Sequence, residues 1–319
     1  MRRVNLILSG VLLVGLLWGN VGCSRAPAPE QPTGPIKVVA VETYMADIAQ
    51  QVAGDRLHVV SLMPIGVDPH AYEPTPGDVA LVAQADVLVV NGAGLEAFLE
   101  KLLQNTGGQR VVIEGAAGLT MREPAEGEPE EHHEEGDAGH HHEGDPHFWL
   151  DPVSVIHYVE NIRDGLSQAD PDGAALYAAN AERYIAQLKE LDGWIVAQVQ
   201  AVPAERRLLV TNHESFGYYA DRYGFQVVGA VIPSVSSGAA PSAQELASLI
   251  DHIRETHAPA IFLETGSNTA LADQIARETG VKVVTDLYTH SITDAGGAAP
   301  DYLEMMRYNT HAIVEALKP

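Results

Sequence analysis

Short apolar runs alternate with amphipathic stretches along most of this chain. KVVAV at Lys37–Val41, the run Leu57–Met63, DVLVVN at Asp86–Asn91 and RVVIE at Arg110–Glu114 are five to seven residues long and rich in β-branched residues, as buried strands are. Between them, Tyr44–Val52 (ending at Gly54), a short segment after Pro76, and Leu95–Leu103 read as helices. A second series follows, with strands predicted at Arg207–Thr211, Gln226–Ile232, Ala260–Glu264 and Lys282–Thr285. Its helices start at Ser215, Ser242 and Asn268, and a last one runs from about Pro300 to Leu317. Strands that alternate with helices imply parallel sheets covered on both faces.

The two series are separated by helical sequence. Asp151-Pro152 opens a helix with aspartate as N-cap and proline in the first turn, and Asp170-Pro171 interrupts it. From Gly173 to Gln200, Tyr177, Ala181, Tyr184, Leu188, Leu191, Ile195 and Val199 recur at spacings of three and four, which makes one stripe on a long helix, and Pro203 ends it. The expected fold is therefore α/β: two Rossmann-like lobes with parallel sheets, residues 36–168 and 204–319, joined by one long rigid helix over residues 172–201. A ligand would lie in the cleft between the lobes, outside the carboxyl ends of the strands.

Two segments depart from this rhythm. At the start, Arg2 and Arg3 precede an apolar stretch, Leu6 to Trp18, that is shorter than the ~20 residues a membrane span needs. Residues 1–22 read as an export signal peptide. Gly22-Cys23 resembles the bacterial lipobox, with Asn20 where that motif usually has leucine, so cleavage would leave Cys23 as a lipidated N-terminus. Acylation by more than one chain would anchor it stably. Cys23 is the only cysteine, which excludes an internal disulfide and a cysteine-based zinc knuckle. Residues 23–35, with SRAPAPEQPTGP, read as a flexible tether.

The second departure is residues 123–146. Ten acidic residues lie between Glu123 and Asp145 without a Lys or Arg, and Pro124 to Pro146 contain no large apolar residue. Such a segment cannot bury enough surface to order itself, and a disordered loop is expected. It carries His132, His133, His140, His141 and His142, a loose low-affinity collector of metal ions. Scavenger, sensor of abundant metal, and solvated spacer are three readings of that loop. The net charge of -24 argues against a nucleic-acid partner and is compatible with attraction of cations.

Four further histidines stand at strand ends or loop junctions. His70 lies in VDPHAYEPTP, His147 in DPHFWLDP, His213 in VTNHESFGYYADRYGF and His290 in DLYTHSITDAGG. Two come from each half of the chain, and two share the form Asp-Pro-His. Four neutral imidazoles converging on a cleft would make a tetrahedral site suited to Zn²⁺. His58, His157, His252, His257 and His311 fall in strand or helix contexts and read as ordinary surface or packing residues. Glu214 beside His213 does not make a zincin motif, because HESFG lacks the second histidine of HExxH, and no Gly-Xaa-Ser-Xaa-Gly elbow or P-loop occurs.

DPHAYEPTP, DPHFWLDP, TNHESFGYYADRYGF and LYTHSI…APDYLEMMRYN, in that order, together resemble the metal-binding solute-binding proteins of ABC importers. These are the zinc and manganese receptors of the TroA-like, ZnuA-like family (cluster A-I), and the similarity runs from about Pro35 to Leu317. The resemblance implies that His70 and His147 are ligands from the first lobe. It implies that His213 is a ligand from the second, where manganese receptors generally have a carboxylate. His290 falls where many members have aspartate, with Asp286 and Glu264 as the alternatives for the fourth position. Four nitrogens favour Zn²⁺, and a carboxylate would favour Mn²⁺. The resemblance further implies a monomeric, non-enzymatic receptor that delivers its ion to an ABC permease in the cytoplasmic membrane. It would be extracytoplasmic, lipid-anchored or periplasmic. A surface zinc metallohydrolase or an adhesin are the readings from other classes. The first needs a coordination position open to water, which four protein ligands would close.

Overall fold

The computed structural model describes residues 35–122 and 144–319. Cys23 and the tether, and the histidine run of His132, His133, His140, His141 and His142, lie outside the described residues. The first sheet contains β1 (Val38–Ala40), β2 (Val59–Ser61), β3 (Val87–Val90) and β4 (Val111–Glu114), all parallel, in the order β2-β1-β3-β4. Its connections carry α1 (Thr43–Ala53), α2 (Pro76–Ala83) and α3 (Leu99–Thr106). Both faces of the sheet are covered, so β1 and β3 are buried at every position, which is why they read as unbroken apolar runs.

Two helices follow: α4 (Pro152–Ala169), capped by the Asp151 carboxylate at the Val153 N–H, and α5 (Ala174–Val199), 26 residues long. The second sheet, again all parallel, is β5 (Leu208–Thr211), β6 (Gln226–Ala230), β7 (Ala260–Glu264) and β8 (Lys282–Leu287), in the order β6-β5-β7-β8. It is connected through α6 (Gly217–Tyr223), α7 (Ala243–Thr256) and α8 (Ala270–Thr279), and the chain closes with α9 (Tyr302–Leu317). Every member of the predicted α5 stripe is buried. That helix packs on α1 and α4 on one side and on α6 and α9 on the other. One continuous core, including Ile48, Leu188, Tyr219 and Met305, therefore runs from the first sheet's helices to the second's. Among the described residues no helix is long and apolar enough to cross a membrane.

The boundaries differ from expectation in instructive places. The helix expected over Leu95–Leu103 begins only at Leu99. Gly92, Ala93 and Gly94 all take positive φ, and the Glu96 carboxylate accepts the Asn91 and Gly92 N–H groups at 2.6 and 3.1 Å. The chain winds around that carboxylate before it can turn helical, and Leu95 is buried as part of the turn. In each sheet the order reverses between two adjacent strands, β1/β3 and β5/β7, and such reversals open a crevice at the strands' carboxyl ends.

Candidate metal centre

The two Asp-Pro-His segments fold the same way. The Asp68 Oδ1 accepts the His70 N–H and the Asp145 Oδ1 accepts the His147 N–H, each at 2.9 Å. These are Asx turns, in which an aspartate two residues ahead and an intervening proline fix the direction of the histidine. His70 thereby sits on a single 3-10 turn, Pro69–Ala71, and His147 caps another, Phe148–Leu150. From the second sheet, His213 follows β5 by two residues and His290 follows β8 by three, so both leave the carboxyl ends of their strands.

The four imidazoles meet. One ligand atom from each of His70, His147, His213 and His290 lies within 4.8 Å of the others. The His147 Nε2 is 3.2 Å from the His70 Nε2 and 3.1 Å from the His213 Nε2. Nitrogens about 2.0–2.1 Å from a central ion at tetrahedral angles stand about 3.3 Å apart, close to these separations. The six ring-centroid separations span only 5.0 to 5.8 Å. A square arrangement would make its diagonals about 1.4 times its sides, so the near-equal centroid distances set the four rings at the corners of a rough tetrahedron.

Outer partners set which nitrogen faces inward. The His147 Nδ1 is 2.8 Å from the Asp145 Oδ1, and because a carboxylate only accepts, Nδ1 carries the hydrogen and Nε2 presents its lone pair. Glu264, at the end of β7, lies behind the other two rings, with Oε1 2.8 Å from the His213 Nδ1 and Oε2 3.6 Å from the His290 Nδ1. The shorter contact is out of line for a hydrogen bond, so it acts as a charge contact. The His290 Nε2 is buried without any hydrogen-bond partner. A buried orphan lone pair among three converging nitrogens is what a cation would satisfy.

The electrostatics agree. Burial, reinforced by His213, pushes the His70 pKa down to about 4. Burial also holds His147 and His290 well below the usual imidazole value. His213 is the exception, because although burial opposes its charge, the adjacent Glu264 prevails and raises it. Burial likewise acts to raise Glu264, but His213 and His290 outweigh it and keep that carboxyl low. His70, His147 and His290 are thus held in the neutral form that a metal ligand needs, and any proton that Glu264 favours on His213 would leave as a divalent ion binds.

The remaining residues singled out from the sequence lie elsewhere. Asp286 is exposed and accepts a hydrogen bond from the Tyr308 hydroxyl. His58, His157, His252, His257 and His311 are all exposed. Sequence reasoning passed over Asp145 and Asp68 as orienting groups, although the repeated Asp-Pro-His spelled them out. It also missed Trp149, whose Nε1–H donates to the Thr289 carbonyl at 2.6 Å and ties the His147 segment to that of His290.

A family profile described as zinc-uptake complex component A, periplasmic (ZnuA), matches residues 38–316. The chain belongs to this family. It is 33% identical to the manganese-binding lipoprotein MntA of Halalkalibacterium halodurans, over 96% of each chain. It is also 33% identical to the zinc-binding lipoprotein AdcA of Streptococcus pneumoniae, over 98% of this chain and 60% of AdcA. Among solved structures, the periplasmic zinc binding protein TroA of Treponema pallidum superposes with a TM-score of 0.79 at 28% identity, over 90% of this chain and all (100%) of that one. A manganese-bound periplasmic metal binding protein of Candidatus Liberibacter asiaticus superposes with a TM-score of 0.76 at 26% identity, over 88% and 99%. The chain is thus an extracytoplasmic substrate-binding receptor of a metal ABC transporter, not an enzyme.

Proposed function

We propose that this receptor selects zinc, and that His70, His147, His213 and His290 hold Zn²⁺ in the cleft until it passes to a permease in the cytoplasmic membrane. The observation that carries the reading is the all-nitrogen donor set, with the nearby carboxylates of Asp145 and Glu264 on the outer side of the rings. Borderline-soft Zn²⁺ favours imidazole and a tetrahedron, whereas Mn²⁺ favours oxygen ligands and higher coordination. In this reading His290 supplies the fourth ligand ahead of Asp286 or Glu264. Residues 36–168 and 204–319 act as the two lobes, with residues 172–201 as the bridging helix that restricts hinge bending. Cys23 carries the lipid that holds a monomeric receptor at the membrane surface. The histidine-rich run collects ions for the cleft.

Manganese is the second reading, favoured by the likeness to MntA, which is named for manganese. Competition titration of the purified mature chain with Zn²⁺ and Mn²⁺ separates the two. One tight Zn²⁺ per chain is expected at the cleft, retained when residues 124–143 are deleted and lost in the His70→Ala, His147→Ala double variant. Tighter Mn²⁺ binding, or a tight site that survives the double variant, contradicts the proposal.

A further inference from the structure

The four-histidine cluster is closed on one side and open on another. His147 and His213 are fully buried, whereas His70 is partly exposed. His290 lines a cavity of about 120 Å³. Asp68 from the first lobe and Ser267 from the second form its walls, the exposed Gly66 and Gly266 belong to its rim, and the buried Glu264 and His290 form its floor. One atom of that floor, the His290 Nε2, is buried without a hydrogen-bond partner, and the Glu264 Oε1 has only its charge contact with His213. The volume holds several water molecules but falls well short of the roughly 300–1,000 Å³ of an organic ligand's pocket.

We infer that this cavity is the passage through which the ion reaches and leaves the histidines, with Asp68 receiving a partly hydrated divalent cation on its way to His290. The inference rests on the four-histidine reading of the cargo site. Asp68 is half-buried and lines the cavity. Its Oδ1 holds the His70 N–H, its Oδ2 accepts from the Ser237 hydroxyl across the cleft, and its charge faces the cavity. Glu264 stays off the ion's path, since its carboxylate lies behind the rings against the outer nitrogens of both His213 and His290, and it adds negative charge at the floor. Two carboxylates beside a narrow space lined by hydroxyls concentrate cations there. His290, at the floor, is then the first imidazole the ion meets. Because arrival and departure share one opening, a side chain that narrows it slows both without altering the equilibrium.

Ser267 is suited to the test, because it lines the cavity and its own backbone N–H is bonded to the Glu264 carbonyl, away from the histidines. Stopped-flow mixing of the full mature chain with Zn²⁺ gives the association rate. Mixing the loaded protein with excess chelator gives the dissociation rate. Trp149 is the reporter, with its ring 5.0 Å from that of His147 and 5.9 Å from that of His290. Ser267→Phe is expected to slow association and dissociation alike, by about tenfold or more, with the equilibrium affinity within about twofold of the parent. Ser267→Lys is expected to slow association, most strongly at low ionic strength. Val196→Phe, on the exposed face of α5, adds the same bulk as a control and is expected to change neither rate. Parental rates in Ser267→Phe and Ser267→Lys overturn the passage while leaving the four-histidine site intact, and so does a change in affinity with unchanged association. If the parent chain itself binds no tight Zn²⁺ at equilibrium, the failure lies in the site.

Discussion

At the scale of single residues, the site is held by carboxylates behind the histidines, one of which engages a backbone and a ring nitrogen at once. The Asp145 Oδ1 accepts from both the backbone N–H and the Nδ1 of His147, at 2.9 and 2.8 Å. Asp145 is in turn held by Arg122, whose Nη1 is 3.5 Å away, and its carbonyl accepts from the Tyr218 hydroxyl at 2.7 Å. Burial pushes the Asp145 pKa up to about 6 in spite of these partners. Replacing it by alanine leaves the His147 ring free to turn. Asp145→Ala is expected to lower Zn²⁺ affinity about 10–100-fold while still binding one ion per chain, as measured by chelator competition. An unchanged affinity would remove Asp145 from the account. Its position was legible in the sequence because an Asx turn is local, complete within Asp-Pro-His. The outer position of Glu264 was not. It depends on how β7 enters the cleft beside β5 and β8, and the sequence left Glu264 as an alternative ligand to the preferred His290.

At the scale of elements, the strands and the α5 stripe were readable because burial on every face, or on one helical face, leaves a period in the sequence. Leu188 on α5 is fully buried in the core shared by both lobes, whereas Leu176 on the same helix is 42% exposed. Leu188→Ala is expected to cost about 2–5 kcal/mol in chemical denaturation, and Leu176→Ala less than about 0.5. Comparable losses from the two would deny the helix its bridging role. The late start of α3 was hidden because Glu96 is a good helix former by composition. Here its carboxylate is spent on the Asn91 and Gly92 N–H groups. Equally hidden was its neighbour Glu42, 54 positions earlier in the numbering, brought beside it by the pairing of β1 with β3.

Both Glu42 oxygens are buried without a hydrogen-bond partner. Burial, with Glu96 beside it, raises its pKa well above the carboxyl range, and burial raises that of Glu96 to about 7. In the unfolded chain both titrate near 4.3–4.5, roughly the ordinary glutamate value. Between the two values the folded state retains protons that the unfolded state has released. Their contribution to stability is therefore fully present below the unfolded value and is lost as pH rises through the folded one. Glu42→Gln is expected to flatten the decline in stability of the metal-free protein between about pH 5 and pH 8. A decline as steep as the parent's would show that the pair does not titrate in this way.

At the scale of the whole molecule, two sheets with separate switch points share one core through α1, α4, α5 and α9, so the cleft is framed by elements packed against one another. Four histidines from four loops, two per lobe, close at that frame's centre, and in the proposed function they alone hold the cargo. The crystal structure of the protein loaded with one equivalent of Zn²⁺, with anomalous data at the zinc edge, tests this most directly. A single peak is expected within the cluster, about 2.0–2.1 Å from one nitrogen each of His70, His147, His213 and His290. A peak outside the cluster, or one in which Glu264 or Asp286 replaces a histidine, would contradict the account.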